Sequence, residues 1–318
     1  MKRPSIDFKE RVEINGVVQT IHVWGEDVNN PIILFLHGGP GNPFRHKIAA
    51  NFLPLCDHYT LAAYDERGCG ASYSKKFPVK ELSVDKYVDD VIAWARWLLD
   101  GTNQTQIYLV GESFGSFIGT KALLKEPSLF KAYIGYGQLV SVDESAKWQY
   151  ETLEAVLEER SEYEDLELLH EIGRPGEPKF QTRESKGAFL SILHPTLEPE
   201  DFPSYKVREV KPFLRSKEYT WREKRVWKKA ANLSGFAFSH WSKADRNLPA
   251  GKIHFDMPYY VIQGSEDYIT PYPIAKDYLE HRVVAKKKAF ITYEGYCHIC
   301  AMENPTQFMK DVRRLFRD

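Results

Sequence analysis

Short runs of apolar residues, separated by glycines and polar residues, recur in the first and the last part of the chain. The runs lie at residues 17–24, 32–36, 59–64, 107–110, 132–136, 259–263 and 289–293. Several of them are continuous rather than alternating, which is typical of parallel strands that are covered on both faces. The pattern therefore predicts a mostly parallel sheet.

Between these runs, apolar residues recur with the period of an amphipathic helix. Over residues 85–99 the positions are Tyr87, Val88, Val91, Ile92, Ala95, Leu98 and Leu99. A final helix is predicted after Asn304, with Pro305 in its first turn. Its apolar side consists of Phe308, Met309, Val312, Leu315 and Phe316. Alternating strands and helices predict an α/β fold with right-handed crossovers and helices on both faces of the sheet.

Residues 142–250 break this alternation, because strand-like runs are almost missing there. Acidic residues are concentrated over 144–171 and basic residues over 206–229. We predict a helical cap at 142–250, inserted into an α/β core made of residues 1–141 and 251–318. The charged blocks are interpreted as solvated helix faces that can pair with each other. The alternative is that one or two of the acids face a pocket.

The composition excludes several classes of function. The 318 residues include 43 Lys+Arg and 44 Asp+Glu, a formal net charge of −1, which argues against a nucleic-acid binder. The longest apolar run, 31–36, is too short to cross a bilayer, and no apolar signal stretch follows Met1. Four cysteines are too few for a disulfide framework. We therefore expect a cytoplasmic protein with no membrane or nucleic-acid partner.

Residues 111–115 have the sequence Gly-Glu-Ser-Phe-Gly and lie between the run 107–110 and a helical pattern that ends before Pro127. Small residues two positions on either side of Ser113 let a strand and a helix approach closely. This turn exposes the serine hydroxyl at a helix N-terminus, where the dipole favours developing negative charge. The pattern predicts Ser113 as a catalytic nucleophile.

A second glycine-rich segment, His-Gly-Gly-Pro-Gly at 37–41, follows the apolar run 32–36. Consecutive glycines at a strand end allow a backbone N–H to point into a site, as an oxyanion hole requires. We predict the N–H groups of Gly39 (or Gly38) and Phe114 as the oxyanion donors. The alternative is an ordinary Gly/Pro turn.

A serine nucleophile needs a base, which an acid orients, and in this architecture the chain order is serine, acid, histidine. His298 follows the run 289–293 and is the predicted base. Asp267 follows the run 259–263 and is the predicted acid, with Glu266 and Asp143 as its rivals. The other histidines weighed for the base are His240, His254 and His281.

These segments together resemble the proline iminopeptidase (prolyl aminopeptidase) branch of the α/β-hydrolases. The resemblance is carried by 37–41, by Asp-Glu-Arg-Gly-Cys-Gly-Ala-Ser at 65–72, by 111–115, by Gly-Ser-Glu-Asp at 264–267 and by His298. It covers residues 10–140 and 255–318. It implies an eight-stranded sheet with a helical cap after the sixth strand. It also implies hydrolysis, through an acyl-enzyme, of the peptide bond after an N-terminal residue, often proline.

The chain departs from this family pattern in three places. Family members usually have Gly-Gly-Ser-Trp-Gly at the elbow and glutamine at position 66, where this chain has Glu66. Tyr296 and Cys297 separate His298 from Gly295, which the family histidine usually follows directly.

We predict that Arg67 braces the 37–41 loop; the alternative is a plain surface arginine.

The resemblance also implies a substrate pocket beside the elbow and glutamates of the cap that bind the substrate amine. The candidates for substrate binding are Gly38, Glu112, Glu144, Glu151 and Glu154. No phosphate-binding loop follows any strand, so we expect no cofactor. Cys297 and Cys300 form a C-x-x-C without a second pair, so we expect packed thiols and no metal.

Three functions follow as hypotheses. The first is a serine aminopeptidase that releases an N-terminal proline or small apolar residue from a small peptide. The second is an esterase, lactonase or amide hydrolase of a small acyl compound, and the third is a non-catalytic binding protein. The intact set of serine, acid and histidine argues against the third. The oligomeric state is left open.

Overall fold

The computed structural model describes residues 4–199, 203 and 206–317. Within them the strands are β1 (Ile6–Ile14), β2 (Val17–Gly25), β3 (Ile32–Leu36), β4 (Thr60–Asp65), β5 (Ile107–Glu112), β6 (Phe130–Tyr136), β7 (Ile253–Phe255), β8 (Tyr259–Gly264), β9 (Val283–Ala285) and β10 (Lys288–Tyr293). The α-helices are α1 (Arg45–Asn51), α2 (Val84–Leu99), α3 (Phe114–Lys125), α4 (Val142–Arg160), α5 (Tyr163–Ile172), α6 (Arg183–Leu197), α7 (Lys211–Arg215), α8 (Trp221–Ser239), α9 (Tyr272–Asp277), α10 (Cys300–Glu303) and α11 (Pro305–Leu315). Short 3₁₀ turns lie at Leu53–Asp57, Gly70–Ser72, Val79–Glu81, Pro127–Leu129, Lys179–Gln181 and Ala244–Arg246, and π-helical turns lie at Lys206–Val210 and Tyr278–Arg282.

In the described chain, eight strands form one sheet in the order β1-β2-β4-β3-β5-β6-β8-β10. The pairs from β4 to β10 are parallel, whereas β1–β2 and β2–β4 are antiparallel. The predicted α/β fold with a mostly parallel sheet is thereby confirmed. The antiparallel edge strand β1 was not predicted, because most of its residues are charged or polar and several are exposed at the sheet edge.

The continuous apolar runs have a direct structural cause, because both faces of the central strands are buried. In β3, Ile32, Leu34 and Leu36 pack on the side of α2 and α3. The alternate residues Ile33 and Phe35 pack on the side of α1 and α11. Complete burial of such side chains stabilises the fold by about 1.5–3 kcal/mol each.

The segment between β6 and β7 contains the helices α4 to α8. Apolar residues of α4, α5 and α6 form a separate buried cluster that also includes Tyr268 of the core. The division into core (1–141, 251–318) and cap (142–250) stays a prediction, which this cluster supports. None of the described helices combines the length and the apolar character that a membrane span requires.

Gly264, the last residue of β8, packs closely against the loop that leads to His298. A Cβ on Gly264 would overlap the carbonyl oxygens of Tyr296 and Cys297, immediately before His298. We therefore expect Gly264→Ala to lower the free energy of unfolding by about 1–3 kcal/mol, because backbone rather than a mobile side chain must move. Urea unfolding measures this change.

The matched control is Gly251→Ala, because a Cβ there meets no atom within 4 Å in the described chain and Gly251 has no strained φ. Its unfolding midpoint should stay close to that of the wild type. Equal midpoints for the two variants would contradict the close packing at Gly264.

Candidate active site

Ser113 occupies the turn between β5 and α3. Its φ of 50° and ψ of −115° lie outside the usual regions for a non-glycine residue, a strain of about 1–3 kcal/mol. The turn is tight, since a Cβ on Gly115 would lie 2.5 Å from the carbonyl oxygen of Leu36. The N–H of Ser113 donates to the carbonyl of Tyr136 at the end of β6, 3.0 Å away. The turn therefore anchors Ser113 at the carboxyl edge of the sheet.

Asp267 and His298 meet at the same edge, after β8 and β10. Nδ1 of His298 lies 2.9 Å from Oδ2 and 3.2 Å from Oδ1 of Asp267. The aspartate side chain is 0% exposed and the imidazole 16% exposed. A buried carboxylate on Nδ1 stabilises the imidazolium and holds the tautomer in which Nε2 can accept a proton.

Four further donors hold Asp267 in place. Its Oδ1 accepts from the N–H groups of Ile269 and Thr270, each at 2.9 Å. Its Oδ2 accepts from Nε2 of Gln263 at 2.7 Å and from the hydroxyl of Thr270 at 2.8 Å. The Thr270 hydroxyl also lies 3.1 Å from Nδ1 of His298. Gln263 and Thr270 were missed in the sequence, although a buried glutamine that ends an otherwise apolar strand is a usable signal.

The imidazole of His298 packs against Gly137, where a Cβ would lie 3.0 Å from Cε1 of the ring. Gly137 directly follows Tyr136, the residue that accepts the N–H of Ser113. The structure therefore brings His298 to the strand end beside which the Ser113 turn is anchored.

The rival acids and bases either bind other side chains or are exposed to solvent. Asp143 pairs with Arg246 and accepts from Asn247, and Glu266 is exposed. The side chains of the rival histidines His240, His254 and His281 are exposed. Of the acids weighed, Asp267 is the one that contacts His298.

The glycine loop after β3 lies against the elbow. A Cβ on Gly38 would lie 2.8 Å from Oε1 of Glu112 and 3.3 Å from Cβ of Ser113. Gly39 has a φ of 138°, which favours glycine. Phe114 is the first residue of α3, so its N–H belongs to the first turn, which has no partner within the helix. Of these residues, Gly38 borders the Ser113 side chain and Phe114 follows Ser113 directly in the chain.

Glu66 braces this glycine loop. Its Oε1 accepts from the N–H of Gly41, and its Oε2 lies 3.1 Å from Nε2 of His37. Nδ1 of His37 donates to the carbonyl of Gly38 at 2.6 Å. Burial by itself would lower the pKa of His37, but the Glu66 carboxylate and these hydrogen bonds raise it above its ordinary value. The Glu66 carboxylate therefore contacts two residues of the glycine loop, His37 and Gly41.

The prediction that Arg67 performs this bracing is wrong, and so is the alternative of a surface arginine. Arg67 is completely buried, and its guanidinium donates to both carboxylate oxygens of Asp90, at 2.7 and 2.6 Å. It also donates to the carbonyl of Glu81 at 3.1 Å. The arginine connects the segment after β4 to α2 instead.

Glu112, a predicted substrate-binding residue, is engaged by the protein itself. Its Oε1 lies 3.2 Å from Nζ of Lys47, and the hydroxyl of Tyr136 donates to its Oε2 at 2.7 Å. Lys47 also lies 3.0 Å from Oε2 of Glu209. Burial would raise the pKa of Glu112, but the Lys47 ammonium and the Tyr136 hydrogen bond bring it below its ordinary value. A stable carboxylate therefore lies beside the Ser113 turn.

The three cap glutamates contact other side chains of the cap or core. Glu144 makes a two-point contact with Arg282, at 3.1 and 3.0 Å. Glu154 accepts from Arg174, with both distances 2.9 Å. Glu151 is exposed, 3.8 Å from Lys147. These contacts occupy the carboxylates of Glu144 and Glu154, and their partners lie outside the basic block 206–229 with which pairing was expected.

The four cysteines are free thiols, and each is buried. Among residues 4–199, 203 and 206–317, no three His, Cys, Asp or Glu side chains come together as metal ligands. A site free of metal and cofactor stays the prediction.

The pKa of His298 predicts the pH profile of hydrolysis. Burial would lower this pKa, but the carboxylate of Asp267 and its hydrogen bond raise it above its ordinary value of about 6.5. A general base must be neutral, so we expect kcat/KM to rise with pH and to reach half its plateau above about pH 6.5. Initial rates between about pH 5 and 9 measure this midpoint.

Thermal denaturation across the same range is the control. A pKa that is raised in the folded state favours the folded protein below the unfolded pKa, and this contribution disappears as the pH rises through the folded pKa. Protonation of His298 therefore does not itself unfold the protein. A half-plateau at or below about pH 6.5 would contradict the assignment of His298 as the base.

A family model and two curated relatives match this chain. The family described as alpha/beta hydrolase fold matches residues 31–305. "Probable aminopeptidase YbaC" of Bacillus subtilis is 26% identical over 98% of this chain and 97% of its own length. "Proline iminopeptidase PfmaB" of Pestalotiopsis fici is 31% identical over 37% of this chain and 40% of its own length.

Similar solved structures show the same fold at low sequence identity. The epoxide hydrolase VrEH1 from Vigna radiata has a TM-score of 0.61 and 21% identity, and 98% of each chain is covered. A serine hydrolase involved in carbazole degradation (CarC) has a TM-score of 0.63 and 16% identity, over 98% of this chain and 99% of its own. At such identities the likeness concerns the fold, whereas the first two proteins confirm the resemblance that the motifs predict.

Proposed function

Because the chain belongs to the alpha/beta hydrolase fold family, we propose that it is a serine hydrolase with Ser113 as nucleophile, His298 as base and Asp267 as the acid that orients it. The observation that carries this proposal is the buried Asp267–His298 hydrogen bond at the edge of the sheet where the strained turn presents Ser113. Such strain persists only where the surrounding structure imposes it, and it is concentrated at functional sites.

The reaction runs in two stages. Nε2 of His298 takes the proton from the Ser113 hydroxyl as Oγ attacks the substrate carbonyl, and the imidazolium then gives that proton to the leaving amine or alcohol. Water next attacks the acyl-enzyme, His298 removes a proton from it, and the proton returns to Ser113 as the acid product leaves. Asp267 stays ionised throughout and stabilises the imidazolium.

The negative charge on the carbonyl oxygen is stabilised by backbone N–H groups, those of Phe114 and of Gly39 or Gly38. The Phe114 N–H lies in the first turn of α3, where the helix dipole adds favourable charge. The Glu66–His37 pair keeps the glycine loop in place before the substrate arrives. Such prearranged donors cost no reorganisation during the reaction.

The substrate proposal is an aminopeptidase that releases an N-terminal proline or small apolar residue from a short peptide. It is supported by the two relatives named as an aminopeptidase and a proline iminopeptidase. The alternative is an esterase, lactonase or amide hydrolase of a small acyl compound. The contacts of Glu144 and Glu154 with arginines favour this alternative, because those carboxylates are no longer free to bind an ammonium group.

Three substrates separate the two candidates. Proline 4-nitroanilide, its N-acetylated form and a short aryl ester are compared by kcat/KM. An aminopeptidase cleaves the first and rejects the second, whereas a general acyl hydrolase prefers the ester and tolerates the acetyl group. Covalent labelling of Ser113 by an organophosphate tests the nucleophile independently of the substrate. A chain that resists the label and cleaves none of the three would overturn the proposal.

A cytoplasmic location stays a prediction. It is supported by the four free, buried thiols, since disulfides are rare in a reducing compartment.

A further inference from the structure

A cavity of about 870 Å³ lies among α4, α6, α8 and the 3₁₀ turn Ala244–Arg246. Its apolar lining consists chiefly of Val142, Phe180, Phe189, Leu190 and Phe238. None of the side chains that line it belongs to the proposed serine, histidine and aspartate set. The volume is that of a pocket for a small organic ligand.

The charges around this cavity are strongly unequal. Lys147, Lys186, Lys243 and Arg246 line it, against the single carboxylate of Asp143. A cavity with an apolar wall and a surplus of cations attracts an anionic ligand, because the low-dielectric walls focus the electric field of the cations.

Arg246 is only partly satisfied by the protein. One terminal nitrogen lies 3.4 Å from Oδ1 of Asp143, which also accepts from Asn247 through Oδ2. Nε of Arg246 is buried and has no hydrogen-bond partner among the described residues. The Asp143 contact is long, so the terminal N–H groups of Arg246 can form a charge-assisted hydrogen bond with an anion in the cavity.

Lys186 on α6 is a second cation that lines the cavity. It is half-buried, and burial followed by the nearby charge of Arg246 lowers its pKa. Two cations that repel each other across an apolar cavity are stabilised together when an anion lies between them.

We propose that this cavity binds a carboxylate carried on an apolar body, with Arg246 and Lys186 as the charge-binding residues. This goes beyond the proposed function, which assigns no group to the cavity. The carboxylate can belong to the substrate itself, as at the free C-terminus of a short peptide, or to a separate organic acid; the chemistry is shared.

The position of the cavity connects it to the candidate active site. On α8, Gly235 and Phe238 line the cavity, and the preceding Ser234 lies against Gly41 of the glycine loop. On α4, Gln149 lines the cavity and donates to the carbonyls of Tyr268 and Ile269, directly after Asp267. A ligand in the cavity therefore contacts the helices that rest on both halves of the site.

Isothermal titration of the whole protein with 4-phenylbutyrate and with the uncharged 4-phenylbutanamide tests the proposal. We expect the carboxylate to bind at least about tenfold more tightly than the amide, as a charge-assisted contact does. Arg246→Gln and Lys186→Gln should each remove most of this preference, whereas Arg246→Lys should keep it. Lys125→Gln is the matched control, since Lys125 is an exposed cation paired with Asp89 outside the cavity.

Equal affinity for carboxylate and amide would overturn the proposal, as would a preference that survives in both glutamine variants. Because binding is measured without turnover, failure of the proposed hydrolase activity leaves this result intact. Inhibition of hydrolysis then identifies the source of the carboxylate. Competition with substrate indicates that the substrate's own carboxylate occupies the cavity, and non-competitive inhibition indicates a separate organic acid.

Discussion

Replacement of Ser113 by alanine is expected to lower kcat/KM by about 10⁴-fold or more for any substrate that the wild type hydrolyses. The reason is that the acyl-enzyme cannot form, while the oxyanion donors and the binding contacts remain. The turn itself rests on the Ser113 N–H to Tyr136 carbonyl bond, which alanine keeps. Steady-state rates and loss of organophosphate labelling measure the effect.

Ser113→Gly separates the lost hydroxyl from a damaged fold. Glycine adopts a φ of 50° without steric cost, so this variant should be equally inactive but about as stable as the wild type or more stable. Ser191→Ala, an exposed serine on α6, is the matched control and should keep full activity. Activity of Ser113→Ala within about 100-fold of the wild type would contradict the nucleophile assignment.

Asp267→Asn is expected to lower kcat by about 10⁴-fold, because an amide no longer holds the tautomer of His298 that accepts the serine proton. In one orientation the new amide N–H₂ group faces the N–H groups of Ile269 and Thr270, and in the other it faces Nε2 of Gln263. All of these groups donate to the present carboxylate. One donor is then left facing another, so we also expect a loss of stability of about 1–3 kcal/mol.

The pH profile distinguishes this positioning effect from general damage. Without the Asp267 carboxylate, the pKa of His298 falls, so the acid limb of the residual activity should move to lower pH. Glu266→Gln removes the same charge from the exposed neighbouring residue and should leave both kcat and the limb nearly unchanged. If Glu266→Gln were the more harmful change, the rival acid would be correct.

Much of the fold follows from local patterns in the sequence. The continuous apolar runs mark β3, β5, β6 and β8, since strands with both faces buried have no polar alternation to maintain. The helical period over 85–99 corresponds to α2, Val84–Leu99. The glycines around Ser113 mark the tight turn, because a Cβ at either position would strike backbone.

Other features carried no such pattern. The edge strand β1 was missed because Glu10 interrupts the alternation of its apolar residues Ile6, Phe8, Val12 and Ile14, and charged residues fill most of the remaining positions. The role predicted for Arg67 was wrong for another reason, because its partner Asp90 lies on α2, twenty-three residues later in the chain. A sequence does not state which distant carboxylate a buried arginine reaches.

The sequence by itself predicted where most strands of the sheet end, a serine in a tight turn after one of them, and an acid and a histidine that follow it in chain order. Only the tertiary structure decided that Nδ1 of His298 meets Asp267, that Gln263 and Thr270 hold that carboxylate, and that Glu66 supports the glycine loop. The physical reason is the range of the forces. Backbone conformation and burial periodicity depend on residues close in sequence, whereas a hydrogen-bonded pair at the end of two strands depends on how those strands align in the sheet.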